Sequence, residues 1–220
     1  MQIMKVPQWN IDKDKVFHRI SCKPSSPGYT VVDQHYQALL KELKKMADPL
    51  GIYKYKKRGV EDSNEGIDNC SYVVYCFVSI GKEVSDRIQH YFEIGSYLKA
   101  TVLDAMADEM LFSISEEVTN HVFSEAKERL HGLTYKIEPG QRDIPLRLQK
   151  EIIMKLNEGE ENLIEVKITE GFMLDPLKSM TFMYGADKNL PLTLRNHDCG
   201  GCSRKNCQFR FFSSKMKLLV

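Results

Sequence analysis

Residues 97–110, YLKATVLDAMADEM, decide how the chain is read. Leu98, Val102, Ala105 and Met110 recur at helical spacing with Lys99, Asp104 and Asp108 between them, and the pattern runs on in both directions. Upstream it includes Val84, Ile88 and Tyr91; downstream it includes Ile114, Val118 and Val122. The spacing predicts one long helix after Gly81, or two helices with a joint at Gly95.

Before this helical stretch, SYVVYCFVSIG (71–81) is β-branched and aromatic, as a buried strand requires. Cys70 and Cys76 flank or lie within it, and Cys76 reads as a small core hydrophobe. QHYQALLKELKKMA (34–47) sets Tyr36, Leu39, Leu40, Leu43 and Met46 on one side of a surface helix, which Pro49 and Gly51 end. EDSNEGIDN (61–69) is a polar loop, and KYKKRG (54–59) is a basic edge or a solvated strand end.

Beyond the helical stretch, HGLTYKIEPGQRDIP (131–145) has two glycines and two prolines and predicts an extended loop. PLRLQKEIIMKLN opens a short amphipathic helix with Pro145 at its first position. NLIEVKIT alternates like a half-buried strand, with SMTFMYG (179–185) expected as its partner and EGFMLDP as the reversal between them. The predicted class is α+β, a twisted and mostly antiparallel sheet packed with long helices. Residues 1–80 are expected as an N-terminal α/β portion of the same domain, 81–190 as the core, and 191–220 as a cysteine-rich tail.

Composition narrows the function. A chain of 220 residues, 42% hydrophobic, can bury a sizeable core without disulfides. With 31 basic and 30 acidic residues the formal charge is +1, which argues against nucleic acid as a partner. No secretory pattern and no run of about 18 apolar residues is present, so neither a membrane nor export is expected. In the cytoplasmic location this implies, Cys22, Cys70, Cys76, Cys199, Cys202 and Cys207 stay reduced. The glycine-rich dinucleotide, phosphate-loop, zinc-protease and nucleophile-elbow signatures are all missing.

Three segments in order, YLKATVLDAMADEM, KIEPGQRDIP (136–145) and IEVKITEGFMLDPLKSM (164–180), resemble the S-adenosylmethionine-binding activation domain of cobalamin-dependent methionine synthase, over roughly residues 90–185. The resemblance is closer to small separately encoded relatives of that domain. Pro139-Gly140 followed by Pro145 and a helix, with Thr169, Glu170 and Phe172, carries it. In the family the loop reads R-x-x-x-G-Y; here those positions are Lys136, Gly140 and Gln141, with Glu138 between them. Lysine keeps a cation for the cofactor carboxylate but loses the bidentate fork, and glutamine removes an aromatic wall. The resemblance further implies Glu170 as a partner for the sulfonium or amino group and Tyr184 as a groove residue. It also implies an acidic contact on the long helix, for which Asp104, Asp108 and Glu109 are candidates.

The tail, NHDCGGCSRKNCQFR (196–210), holds Cys199, Cys202 and Cys207, the first of them two residues beyond His197. Glycines between the first pair let thiolates converge, so a zinc site with His197, an iron–sulfur cluster, a metal-free thiol pair and a simple packed tail are all open. The function implied is accessory: reductive reactivation of a corrinoid-dependent methyltransferase, with S-adenosylmethionine presented to cobalamin held by that partner and an electron donor involved. The alternative is a non-catalytic scaffolding module that keeps the fold and a metal knuckle without binding S-adenosylmethionine.

Overall fold

The apolar run at 71–81 forms strand β3 (Tyr72–Ser79), whose two faces organise the protein. Val74, Cys76 and Val78 enter one core while Val73, Tyr75 and Phe77 enter another, the alternation of a strand covered on both sides. The computed structural model describes residues 2–5, 9–60, 66–141, 144–159, 164 and 166–193. Before β3 come β1 (Gln2–Lys5), α1 (Lys13–Arg19), α2 (Tyr29–Met46) and β2 (Leu50–Lys57). After it come α3 (Lys82–Glu93), α4 (Tyr97–Glu128), β4 (Gly132–Leu133), α5 (Leu148–Asn157), β5 (Lys167–Ile168), β6 (Leu174–Asp175) and β7 (Ser179–Asp187). The described sheet has the order β1-β2-β3-β7-β4 with every pairing antiparallel, and the class is α+β as expected.

Helices α1 to α4 cover one face. The long periodic stretch is two helices, α3 and α4, with Gly95 at the joint. At about 1.5 Å per residue, the 32 residues of α4 run roughly 48 Å across the sheet and bury a residue on almost every turn. The other face is covered by α5, with Leu148, Ile152, Ile153 and Leu156 packed on Phe77, Tyr75 and Met183. Lys54 donates to the carbonyls of Leu156 and Glu158 and Lys56 pairs with the Glu158 carboxylate, so the basic segment ties β2 to the end of α5.

Two expectations need correction. SMTFMYG lies in β7, which pairs with β3 along its length, whereas residues 167–168 pair with Leu174–Asp175 in a separate ribbon. The reason is burial: seven consecutive residues of β7 are buried, which only an interior strand covered on both faces allows, while Lys167 is exposed and Ile168 half-buried. Pro145 is not the first residue of α5. It precedes the helix in a turn where Leu148 N–H bonds the Pro145 carbonyl at 3.1 Å. No helix among the described residues is long and apolar enough to cross a membrane.

Gly185 of β7 marks a close approach. A Cβ there would lie 2.5 Å from Cys70 Sγ and 3.0 Å from both Ile67 Cγ2 and Thr134 Cγ2. Gly185→Ala is therefore expected to cost about 2 kcal/mol through overpacking. Cys70→Ala should return part of that loss in the double variant. Denaturant unfolding of the two single variants and the double checks this, and strict additivity would show that the sulfur is not the obstacle.

Candidate functional site

The segment after α4 is an edge strand in all but length. Thr134 N–H bonds the Gly185 carbonyl at 2.9 Å, Gly185 N–H bonds Thr134 Oγ1 at 2.9 Å, and Ile137 and Met183 exchange backbone bonds at 3.0 Å. Extended backbone sends alternate side chains to opposite faces. Ile137 enters the core beneath α5, and Lys136 turns toward α4. Lys136 Nζ donates to Ser115 Oγ at 2.6 Å, pairs with Glu138 Oε1 at 3.2 Å, and stands 3.9 Å above the Phe182 ring. Its side chain is 10% exposed and that of Glu138 8%, so this ion pair is nearly buried.

A short polar track continues inward from this pair. Thr119 Oγ1 lies 3.0 Å from the Tyr184 hydroxyl and donates to the Ser115 carbonyl at 2.8 Å, which leaves the phenol as the donor between them. Burial pushes the Tyr184 phenol far up, so it stays protonated. Burial likewise pushes the Cys76 thiol up despite Lys136 nearby. Neither group is an available nucleophile.

On the other side of the edge strand, backbone bonds link Glu138, Gly140 and Gln141 with Ile144 just before α5. Gln141 N–H bonds the Glu138 carbonyl at 3.1 Å, and Gly140 N–H bonds that of Ile144 at 3.0 Å. Gly140 has φ 81°, a left-handed conformation natural to glycine, and a Cβ there would press on Leu146 Cδ1 at 3.2 Å. Near the same end of α5 is the tip between β5 and β6. Phe172 N–H bonds the Thr169 carbonyl at 2.9 Å, Met173 N–H bonds Thr169 Oγ1 at 3.0 Å, and Gln149 Nε2 donates to the Phe172 carbonyl at 2.6 Å.

The expected site residues thus divide. Gly140, Gln141 and Glu170 belong to the turn and the tip near the start of α5, with Glu170 exposed. Lys136, Glu138 and Tyr184 lie on the α4 side, and Tyr184 is core rather than groove wall. Asp104 and Asp108 both pair with Lys178, at 2.7 and 2.6 Å; Glu109 pairs with Lys15 and Arg19, each at 3.1 Å. Burial alone would lower the Lys178 pKa, but Asp108 and Asp104 hold it above the usual lysine value. Burial raises Glu109, against the pull of Lys15 and Arg19. These acids already have counter-charges that lock α1 and the start of β7 onto α4.

His197, Cys199, Cys202 and Cys207 lie outside the described residues. Among the described residues no group of histidine, cysteine, aspartate and glutamate is arranged to hold a metal ion. Sequence reasoning missed Ser115, Thr119, Phe182 and Gln149. For the first two, spacing i, i+4 on the helix was an available signal for a polar pair facing inward.

Compared with solved structures, this arrangement is similar to the MetH reactivation domain bound to AdoHcy, with a TM-score of 0.54 over 78% of this chain and 69% of that one. The chain has the MetH reactivation-domain fold. Sequence identity is 14%, so what the two share is the fold. No protein-family model and no curated protein sequence matches the chain. Within the reactivation-domain fold, the edge loop seated on β7 and the tip beside α5 are the segments to which the sequence resemblance had pointed.

Proposed function

We propose that the chain is an accessory protein for reductive reactivation of a corrinoid-dependent methyltransferase, binding S-adenosylmethionine at the edge loop and presenting it to cobalamin held by a partner. The observation that supports this reading is the reactivation-domain fold combined with a loop that keeps its glycine in a left-handed conformation at residue 140. The donor set fits in part. Lys136 supplies a cation near the loop, Gly140 leaves backbone open at an exposed turn, and Glu170 offers a carboxylate at the neighbouring tip. S-adenosylmethionine would supply an activated methyl group. The chain's residues would bind and orient it while the packed sheet keeps water from one side. A corrinoid-binding methyltransferase and an electron donor are the partners this reading requires, with His197, Cys199, Cys202 and Cys207 as a metal or thiol centre for the electron.

One observation favours the second reading, a scaffolding module without the ligand. Lys136 already has Glu138 as counter-ion, so a ligand carboxylate would have to displace a resident one. Calorimetric titration with S-adenosylmethionine and S-adenosylhomocysteine separates the two readings. Saturable binding that Gly140→Val abolishes is the expected result. No heat with either ligand at about 1 mM, the weak end of specific affinity, leaves the scaffold reading. Metal and sulfide analysis of the same sample tests the electron-transfer role, which zinc or no metal would remove.

A further inference from the structure

We propose that Gln149 is a positioning residue that fixes the Thr169–Met173 tip, and with it Glu170, against the sheet. This rests on the reading of the tip as part of a ligand site, and it goes beyond that reading by naming what holds the tip in place.

Among the described residues the β5–β6 ribbon pairs Lys167 with Asp175 and Ile168 with Leu174, and a ribbon that short has little stability of its own. Its tip also contains Phe172 at φ 61°, a left-handed conformation that disfavours a side chain by about 1–2 kcal/mol. Something must hold such a tip. Gln149, 8% exposed in the first turn of α5, donates through Nε2 to the Phe172 carbonyl at 2.6 Å, and Oε1 accepts from Thr181 Oγ1 of β7 at 3.5 Å. One amide therefore links α5, the tip and an interior strand.

The chemistry of the position explains the residue. It needs a donor toward Phe172 and an acceptor toward Thr181 from one planar group. Ionised glutamate only accepts and would set its charge against the Phe172 carbonyl. Lysine and arginine only donate. An apolar side chain leaves the carbonyl without that donor. A protonated glutamic acid has one donor and one acceptor and can replace the amide.

The test is amide hydrogen exchange by NMR on the full chain, with S-adenosylhomocysteine affinity measured on the same samples, for Gln149→Met and Gln149→Glu. Gln149→Met is expected to speed exchange at Phe172 and Met173 about tenfold while Val118 in α4 stays protected, which separates a loosened tip from a failed fold. Gln149→Glu should behave the same way at pH 7 and regain protection near pH 4, where the carboxyl is protonated. Affinity should fall about tenfold alongside the faster exchange. Unchanged exchange at Phe172 and Met173 in both variants overturns the inference. Faster exchange with unaltered affinity overturns the role of the tip in binding. If the unsubstituted chain binds no ligand, the ligand reading fails, and the exchange arm still decides whether Gln149 holds the tip.

Discussion

Lys136→Ala is expected to lower stability by about 3 kcal/mol, while Lys136→Met combined with Glu138→Leu should be close to neutral. Each member of the pair has a side chain no more than 10% exposed. Removing one leaves an uncompensated charge in a poorly solvated place, which typically costs about 3–5 kcal/mol; replacing both by apolar groups removes the desolvation penalty as well. The single variant also strips a donor from Ser115 Oγ and a cation from the Phe182 ring. Denaturant midpoints of the singles and the double, at constant m, measure this directly. The result bears on function. A large coupling means that Glu138 is the resident partner of Lys136, and any ligand carboxylate competes with an intramolecular one at high effective concentration. Glu138→Gln should then tighten S-adenosylhomocysteine binding rather than weaken it.

That pair was legible in part. Lys136, Ile137 and Glu138 alternate polar and apolar, which is a strand signal, but the two glycines and two prolines of 131–145 made the segment read as a loop. Its sheet character comes from backbone bonds to Gly185 and Met183, residues nearly fifty positions away that carry no local mark of the pairing. The same difficulty misassigned β7. Its own extended character was clear, yet its partner β3 lies about a hundred residues upstream, and the nearer strand was the natural guess. Helices α2, α3 and α4 were readable because 3.6-residue periodicity is a property of the segment itself.

Charges followed a similar rule. Asp104, Asp108 and Glu109 stood out as acids on a long helix, and a resemblance suggested a ligand for one of them. What the sequence could not display was that Lys178, Lys15 and Arg19, from the opposite ends of the chain, converge on them. Acidic residues that are already paired and partly buried hold a fold together more readily than they receive a cationic ligand. The exposed Glu170 is therefore the better candidate for that contact, and its usefulness depends on how firmly the tip is held.

Phe182→Ala should be somewhat more damaging than the loss of Lys136, about 4 kcal/mol. The ring is fully buried in β7 opposite Cys76, meets Tyr184 edge-on at 6.0 Å with an interplanar angle of 87°, and carries Lys136 Nζ over its face. Truncation to alanine removes the transfer energy of the ring and leaves a cavity between α4 and the sheet, for which about 3–5 kcal/mol is usual. Phe182→Leu separates volume from electrostatics, because it keeps most of the apolar bulk and loses the π face. Made in the native chain and again in the Lys136→Met, Glu138→Leu background, it yields the cation–π coupling as a difference, expected at about 1 kcal/mol for a desolvated pair. A coupling of zero would leave Ser115 and Glu138 alone to hold the ammonium, and a ligand carboxylate would then have only Glu138 to displace. A coupling near the expected value means that Lys136 is held from three sides, so it is Glu138, and not the lysine, that must move for the loop to accept a ligand.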